Sequence, residues 1–243
     1  MTYCVAVRNE AGLVFLSDSR TNAGVDQISI FRKMHVFEVP GKRVLVLLTA
    51  GNLAISQAVA SGLRAQMDNP AEKSLATAPN LFSAAKLVGD AVRKVYERDA
   101  ASLKAFDTEF NVNLIFGGQI EGEEPRLFNI YSAGNFIEAT DETPYFQIGE
   151  SKYGKPILDR VIGGSLSLDE VAKCCLISMD STIKSNLSVG LPLDLLCYER
   201  NSLRVNRHKL IDYKEPYFAS IRDRWAEQLR KVFNELPDPG YWK

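Results

Sequence analysis

Residues 1–20 read M-T-Y-C-V-A-V-R-N-E-A-G-L-V-F-L-S-D-S-R. Residues 2–8 carry the β-branched and aromatic content of a strand, and Gly12 to Asp18 reads as its antiparallel partner. The Asn9-Glu10-Ala11-Gly12 segment supplies the turn between them. Hairpin pairing returns Asp18 towards the neighbourhood of Thr2, so two polar residues sixteen positions apart meet at one end of a strand pair.

Outward from this hairpin, a polar loop is expected through Thr21-Asn22-Ala23-Gly24, then strands at Lys33–Val39 and Arg43–Thr49 across a Pro40-Gly41-Lys42 turn. Gly51 opens a helical stretch in which Ile55, Val59, Leu63 and Met67 recur every four residues. Leu81, Ala85, Val88, Val92 and Val95 mark a second helix. Strands follow at Asn111–Phe116, Arg126–Ser132 and Tyr145–Ile148, helices at Lys152–Ile162 and Leu168–Ile183, and strands at Leu191–Tyr198 and Leu203–Leu210. A terminal helix carries Phe218, Ile221, Trp225, Leu229 and Val232 on one side; this helix and tail, about 215–243, is core or subunit interface. Strand blocks alternating with helix pairs disfavour a doubly wound parallel sheet. They suit an α+β, four-layer αββα sandwich: two stacked antiparallel sheets with helices outside.

The chain has 243 residues with 46% hydrophobic content, enough for a substantial core. It shows neither linker composition nor internal repeats, so a single domain over 1–243 is expected. A net charge of -1 argues against nucleic-acid binding. No apolar run is long enough to span a bilayer, and the start lacks the pattern of a secretory leader, so a cytoplasmic location is expected. Cys4, Cys174, Cys175 and Cys197 show no metal-ligand spacing and read as reduced, packed thiols. Only His35 and His208 are available, which disfavours a histidine metal centre, and Gly117-Gly118 lacks the partners of a phosphate loop. No cofactor is implied.

Taken singly, the polar residues are ordinary: Thr2 begins a strand, Asp18 and Lys33 make a surface pair, and Gly51 sits in a strand-to-helix turn. Together they fit one chemistry. Once Met1 is removed, a terminal threonine offers both an attacking hydroxyl and a base, its α-amine, with an ordinary pKa of about 7.7–8. A lysine nearby stabilises alkoxide character and keeps that amine neutral, and an aspartate offsets the lysine's desolvation. A glycine N–H at the mouth of a helix suits oxyanion stabilisation. Cys4 shares the strand face of Thr2 and either lines the site or packs in the core.

The stretches M-T-Y-C-V-A, S-D-S-R-T-N-A-G, F-R-K-M-H-V-F and L-T-A-G-N-L-A resemble the bacterial Anbu ("ancestral beta subunit") family, related to proteasome β-subunits and to the β-like subunit of the HslUV protease. The likeness covers the whole chain and is most specific over the first 55 residues. It implies the N-terminal-nucleophile hydrolase fold and peptidase activity, with Thr2 as nucleophile and base. It makes Asp18 and Lys33 the electrostatic support, Gly51 the oxyanion donor, and Arg20 a brace for the following loop. Ser188 is carried over from the family's Asp-x-x-Ser-Gly motif, although this sequence has Ser185 rather than aspartate three positions before it. Glu150 and Ser151 stand in the region of the family's Gly-Ser, with glutamate where the serine would be. The resemblance further implies peptide or protein substrates, self-association into rings or open spirals, and functional coupling to ATP-grasp and transglutaminase-like proteins. Two other readings stay open: an amidohydrolase of small or modified amides, and a scaffold that has lost useful activity.

Overall fold

The computed structural model describes residues 1–22, 28–69, 73–163 and 165–241. Its first sheet has the strand order Tyr145–Gly149, Tyr3–Asn9, Gly12–Asp18, Leu193–Glu199, His208–Ile211 and its second Met34–Val39, Arg43–Gly51, Val112–Ile120, Arg126–Ile130, Phe136–Glu138, every neighbouring pair antiparallel. In chain order the elements are β1 (Tyr3–Asn9), β2 (Gly12–Asp18), β3 (Arg20–Asn22), β4 (Ile28–Ile30), β5 (Met34–Val39) and β6 (Arg43–Gly51). Helices α1 (Leu53–Asp68) and α2 (Leu81–Ala105) precede β7 (Val112–Ile120), β8 (Arg126–Ile130), β9 (Phe136–Glu138) and β10 (Tyr145–Gly149). The chain continues with α3 (Ser151–Val161), α4 (Leu168–Ser185), β11 (Leu193–Glu199), β12 (His208–Ile211) and α5 (Pro216–Glu235).

Alternation along the strands decides the layering. On β2, Leu13 and Phe15 face the space between the sheets, where they pack with Cys4, Val46, Leu48, Ile115 and Tyr198. Val14 and Leu16 face the other way, onto Val171, Cys175 and Met179 of α4. The second sheet does the same with Leu45, Leu47 and Phe116 against Ile55 and Val59 of α1 and Val88 and Val92 of α2. Each such fully buried large apolar side chain is worth about 1.5–3 kcal/mol. Both central strands are therefore apolar on both faces, and the four layers run helices, sheet, sheet, helices. The αββα architecture follows.

Several boundaries differ from the sequence expectation. The segment expected as a polar loop is in part a small hairpin, β3 pairing with β4; Ala23 and Gly24 lie outside the described residues. Strand β7 runs on through Gly117 and Gly118 because these glycines admit a close neighbour: a Cβ on Gly118 would stand 2.0 Å from the Val44 carbonyl oxygen. The expected strand from Leu203 starts only at His208, since Asn201 and Leu203 adopt left-handed backbone in a turn. Helix α2 continues to Ala105, beyond its last buried residue, Val95. Of the terminal helix only Phe218 is buried, so α5 is not a core helix.

Candidate active site

Strand β1 lies between β10 and β2, so the residue before it is approached from both sides. The Thr2–Tyr3 peptide is held at both ends. Its carbonyl accepts the Glu150 N–H at 2.8 Å, and its N–H donates to Asp18 Oδ1 at 3.0 Å. Gly149, paired with Tyr3, allows the first contact: its φ is +82°, and a Cβ there would lie 1.9 Å from the Thr2 carbonyl oxygen. Any side chain at 149 would displace Thr2.

Asp18 ends β2 and is fully buried. Its Oδ1 accepts the Lys33 ammonium at 2.7 Å, and its Oδ2 accepts the Gly190 N–H at 3.4 Å. Burial pushes the Asp18 carboxyl above its ordinary value, while the Lys33 ammonium and the Tyr3 and Gly190 N–H groups pull it back. Lys33 stands just before β5, its carbonyl held by the Thr49 N–H at 2.9 Å, which fixes the root of its side chain. The ammonium has three protons, and all three find acceptors: Asp18 Oδ1 at 2.7 Å, the Arg20 carbonyl at 2.7 Å and the Met1 carbonyl at 3.3 Å.

Gly51 ends β6 with φ +104°, and a Cβ on it would stand 2.4 Å from the Asn111 carbonyl oxygen. That carbonyl accepts the Asn52 N–H at 2.8 Å, while Asn52 caps α1 through Oδ1 bonds from Ala54 and Ile55 N–H at 3.0 and 3.4 Å. Strand, glycine and helix start thus form one rigid corner. Thr2, Lys33 and Gly51 open onto a common cleft of about 440 Å³. Asp18 lies behind Lys33 and is not on the cleft wall.

Ser188 is not among the cleft-lining residues; its N–H donates to Asn186 Oδ1 at 2.9 Å in the loop after α4. That loop reaches the site through Gly190, which lies against the Arg20 guanidinium. Arg20 donates to the Leu187 carbonyl at 2.8 Å and to the Tyr213 hydroxyl at 3.0 Å, tying β3 to this loop and to the segment before α5. Ser151 begins α3 and offers its carbonyl to Gln147. Cys4 is buried between the sheets, its thiol directed to the Thr49 carbonyl at 3.7 Å, and burial pushes it well above the usual thiol range. Burial likewise raises Cys174 and Cys197 to about 11, as suits thiols packed in the core.

The cleft also gathers Thr21 from β3, Ser56 from α1, Asn111 just before β7 and Asn113 within it, which no sequence signal marks as site residues, and Glu150 from the β10–α3 corner, which the sequence marks only as standing in place of the family's serine. Asn111 and Asn113 are two apart, the spacing of one strand face, with Asn111 standing just before β7. Among the described residues no group of three His, Cys, Asp or Glu is placed to hold a metal ion. Among them, too, no helix is long and apolar enough to cross a membrane.

The fold has close counterparts among known proteins. The proteasome subunit family model matches residues 2–191, from the nucleophile candidate to the loop before β11. The Anbu (ancestral β-subunit) structure from Yersinia bercovieri is 52% identical, with 99% of this chain and 100% of that one aligned at a TM-score of 0.93. The helical assembly of the Anbu complex from Pseudomonas aeruginosa is 47% identical over 99% of both chains, with a TM-score of 0.94. A Gly-1 mutant of Anbu from Hyphomicrobium sp. strain MC1 is 52% identical over 98% of this chain and 99% of that one, TM-score 0.91. No match was found among curated proteins. A shared fold alone would leave the relationship open, but identity near one half over essentially the full length does not: the chain belongs to the proteasome subunit family and, within it, to the Anbu group.

Proposed function

We propose that this chain is a threonine-type peptide or amide hydrolase in which Thr2, freed by removal of Met1, is both nucleophile and base. The carrying observation is the donor arrangement of Lys33. Two of its three N–H groups are committed to Asp18 and the Arg20 carbonyl, and the third reaches the Met1 carbonyl at 3.3 Å. Removal of Met1 takes that acceptor away and exposes the Thr2 amine beside an ammonium whose remaining proton needs a partner. A like charge so close favours the neutral amine, the form able to take the hydroxyl proton. The chain's own groups then divide the work. Asp18 fixes Lys33, Glu150 N–H and Asp18 clamp the Thr2–Tyr3 peptide, and the Gly51 corner offers backbone N–H to the developing oxyanion. The loop that carries Ser188 reaches this set through the Gly190 N–H bond to Asp18. The substrate's scissile bond breaks as its amine leaves with the proton, and water hydrolyses the ester on Thr2 Oγ1.

The reading extends to self-association, with each cleft working inside a homo-oligomer. The Pseudomonas aeruginosa relative is described as a helical assembly. Here α5 and its C-cap present Leu229, Val232, Phe233 and Leu236, spaced as one helix face and 52%, 53%, 75% and 64% exposed, outside the hydrophobic core of the described residues.

Intact mass combined with an electrophile directed at N-terminal threonine tests the chemistry. The expected result is a chain lacking Met1 that is labelled at Thr2, with labelling lost in Thr2→Ala and kept in Thr2→Ser. Labelling that persists in Thr2→Ala, or activity in protein that retains Met1, overturns the mechanism. An assembled, demethionylated protein that takes up no label favours the scaffold reading.

A further inference from the structure

We propose that Glu150 is a cation-recognising group of the cleft, and that the substrate presents an ammonium or guanidinium group to it near the bond to be cleaved. This rests on the reading of the cleft as a substrate site. Among the described residues, the cleft wall carries two side chains of acidic or basic type, Lys33 and Glu150. Lys33 is neutralised at 2.7 Å by Asp18, which is buried behind it. Glu150 is not neutralised in the same way. Its side chain is only 15% exposed, yet its one ion contact among the described residues is Lys152 Nζ at 3.8 Å, on a side chain that is itself 70% exposed.

The usual structural role for such a residue is helix capping, and Glu150 does not fill it. It stands at the N-cap position of α3, but its side chain makes no capping hydrogen bond. The backbone at this point is fixed instead by the Glu150 N–H bond to the Thr2 carbonyl at 2.8 Å and by Gly149 packed on the same carbonyl. A carboxylate is thus anchored beside Thr2, largely covered by protein and weakly paired. Holding a largely covered charge by a single long contact to an exposed lysine is costly, and the described cleft residues supply no closer counter-charge. The Thr2 amine cannot serve in the active state, because an amine that pairs with Glu150 as ammonium is unable to accept the hydroxyl proton. The other polar wall residues, Thr21, Thr49, Ser56, Asn111 and Asn113, are neutral. The complementary charge therefore comes with the substrate, and acidic groups at the same place are repelled.

The test separates recognition from catalysis by using demethionylated Thr2→Ala protein, whose cleft binds without turning over. Fluorescent peptides identical except for one Lys, norleucine or Glu are titrated by anisotropy, with unfolding temperature as the control for fold. The lysine peptide is expected to bind about tenfold tighter than the norleucine peptide, and the glutamate peptide weaker still. Added salt should compress these differences. Thr2→Ala/Glu150→Gln should bind all three alike, and Thr2→Ala/Glu150→Lys should reverse the order, so a folding failure in one variant leaves the other decisive. Equal binding of the three peptides by Thr2→Ala, a preference that survives both substitutions, or no binding of any peptide overturns the inference. Failure of the Thr2 chemistry would show separately, as absent labelling in protein that retains this charge preference.

Discussion

Asp18 and Lys33 form a buried ion pair in which one oxygen, Asp18 Oδ1, takes both the lysine ammonium at 2.7 Å and the Tyr3 amide at 3.0 Å. The pair therefore does more than neutralise itself, since it also fixes the peptide that follows Thr2. Replacing Lys33 by Met should cost about 3–5 kcal/mol, because the carboxylate is left buried without its counter-charge. Asp18→Asn/Lys33→Met should cost less than the two single changes added together. Urea titration measures both. The pH dependence has a definite sign. Without Lys33 the folded-state carboxyl, already raised by burial, loses its largest opposing influence and rises further, while the unfolded value stays ordinary. The folded variant then holds a proton that the unfolded chain has released, so its stability falls as pH rises through that window, more steeply than in the wild type.

Gly149 is the residue on which the position of Thr2 turns. Gly149→Ala puts a methyl group 1.9 Å from the Thr2 carbonyl oxygen, at a backbone angle of +82°. Stability should drop by about 1–3 kcal/mol, and labelling of Thr2 should fall far more than the fraction of folded protein. Labelling rate against thermal midpoint gives the comparison; a parallel loss of both would mean that Gly149 serves the fold alone.

His35, on the edge strand β5, has its pKa lowered by burial and, secondarily, by the Arg64 guanidinium, with Asp194 opposing. The unfolded chain therefore binds the proton first as pH falls. Stability should be constant above the ordinary histidine value of about 6.5, decline below it, and level off once the folded form also protonates. His35→Gln should flatten that decline in a denaturation series between about pH 5 and 7.5.

The exposed face of α5 should matter to assembly and little to the single chain. Val232→Asp/Phe233→Asp alters residues 53% and 75% exposed, so monomer stability should move by no more than about 0.5 kcal/mol for each. Sedimentation of the assembled protein should shift to smaller species. An unchanged distribution would leave α5 outside the interface.

How much of this was readable beforehand depended on whether burial left a pattern. The hairpin of β1 and β2, the a priori helices α1 and α4, and the apolar central strands all bury regular faces, and their periodicity is visible in the letters. The hairpin β3–β4, strand β9 and the last turns of α2 are short or solvent-facing, so no apolar period marks them. The turn around Asn201 and Leu203 hid because non-glycine residues there adopt φ of 64° and 46°.

The sequence by itself determined the sandwich class and the local chemistry of the nucleophile candidate, because two-residue and near-four-residue periods, and a hairpin bringing Asp18 back to Tyr3, are set by neighbours along the chain. Tertiary structure alone decided the cleft. Lys33, the Gly51–Asn111 corner and the Gly149–Glu150 clamp come from separate elements, and only the stacking of two sheets places them around Thr2. It also decided that Glu150 is a sunken, weakly paired charge rather than a helix cap, since a side chain's solvation depends on what packs against it and not on its position in the sequence.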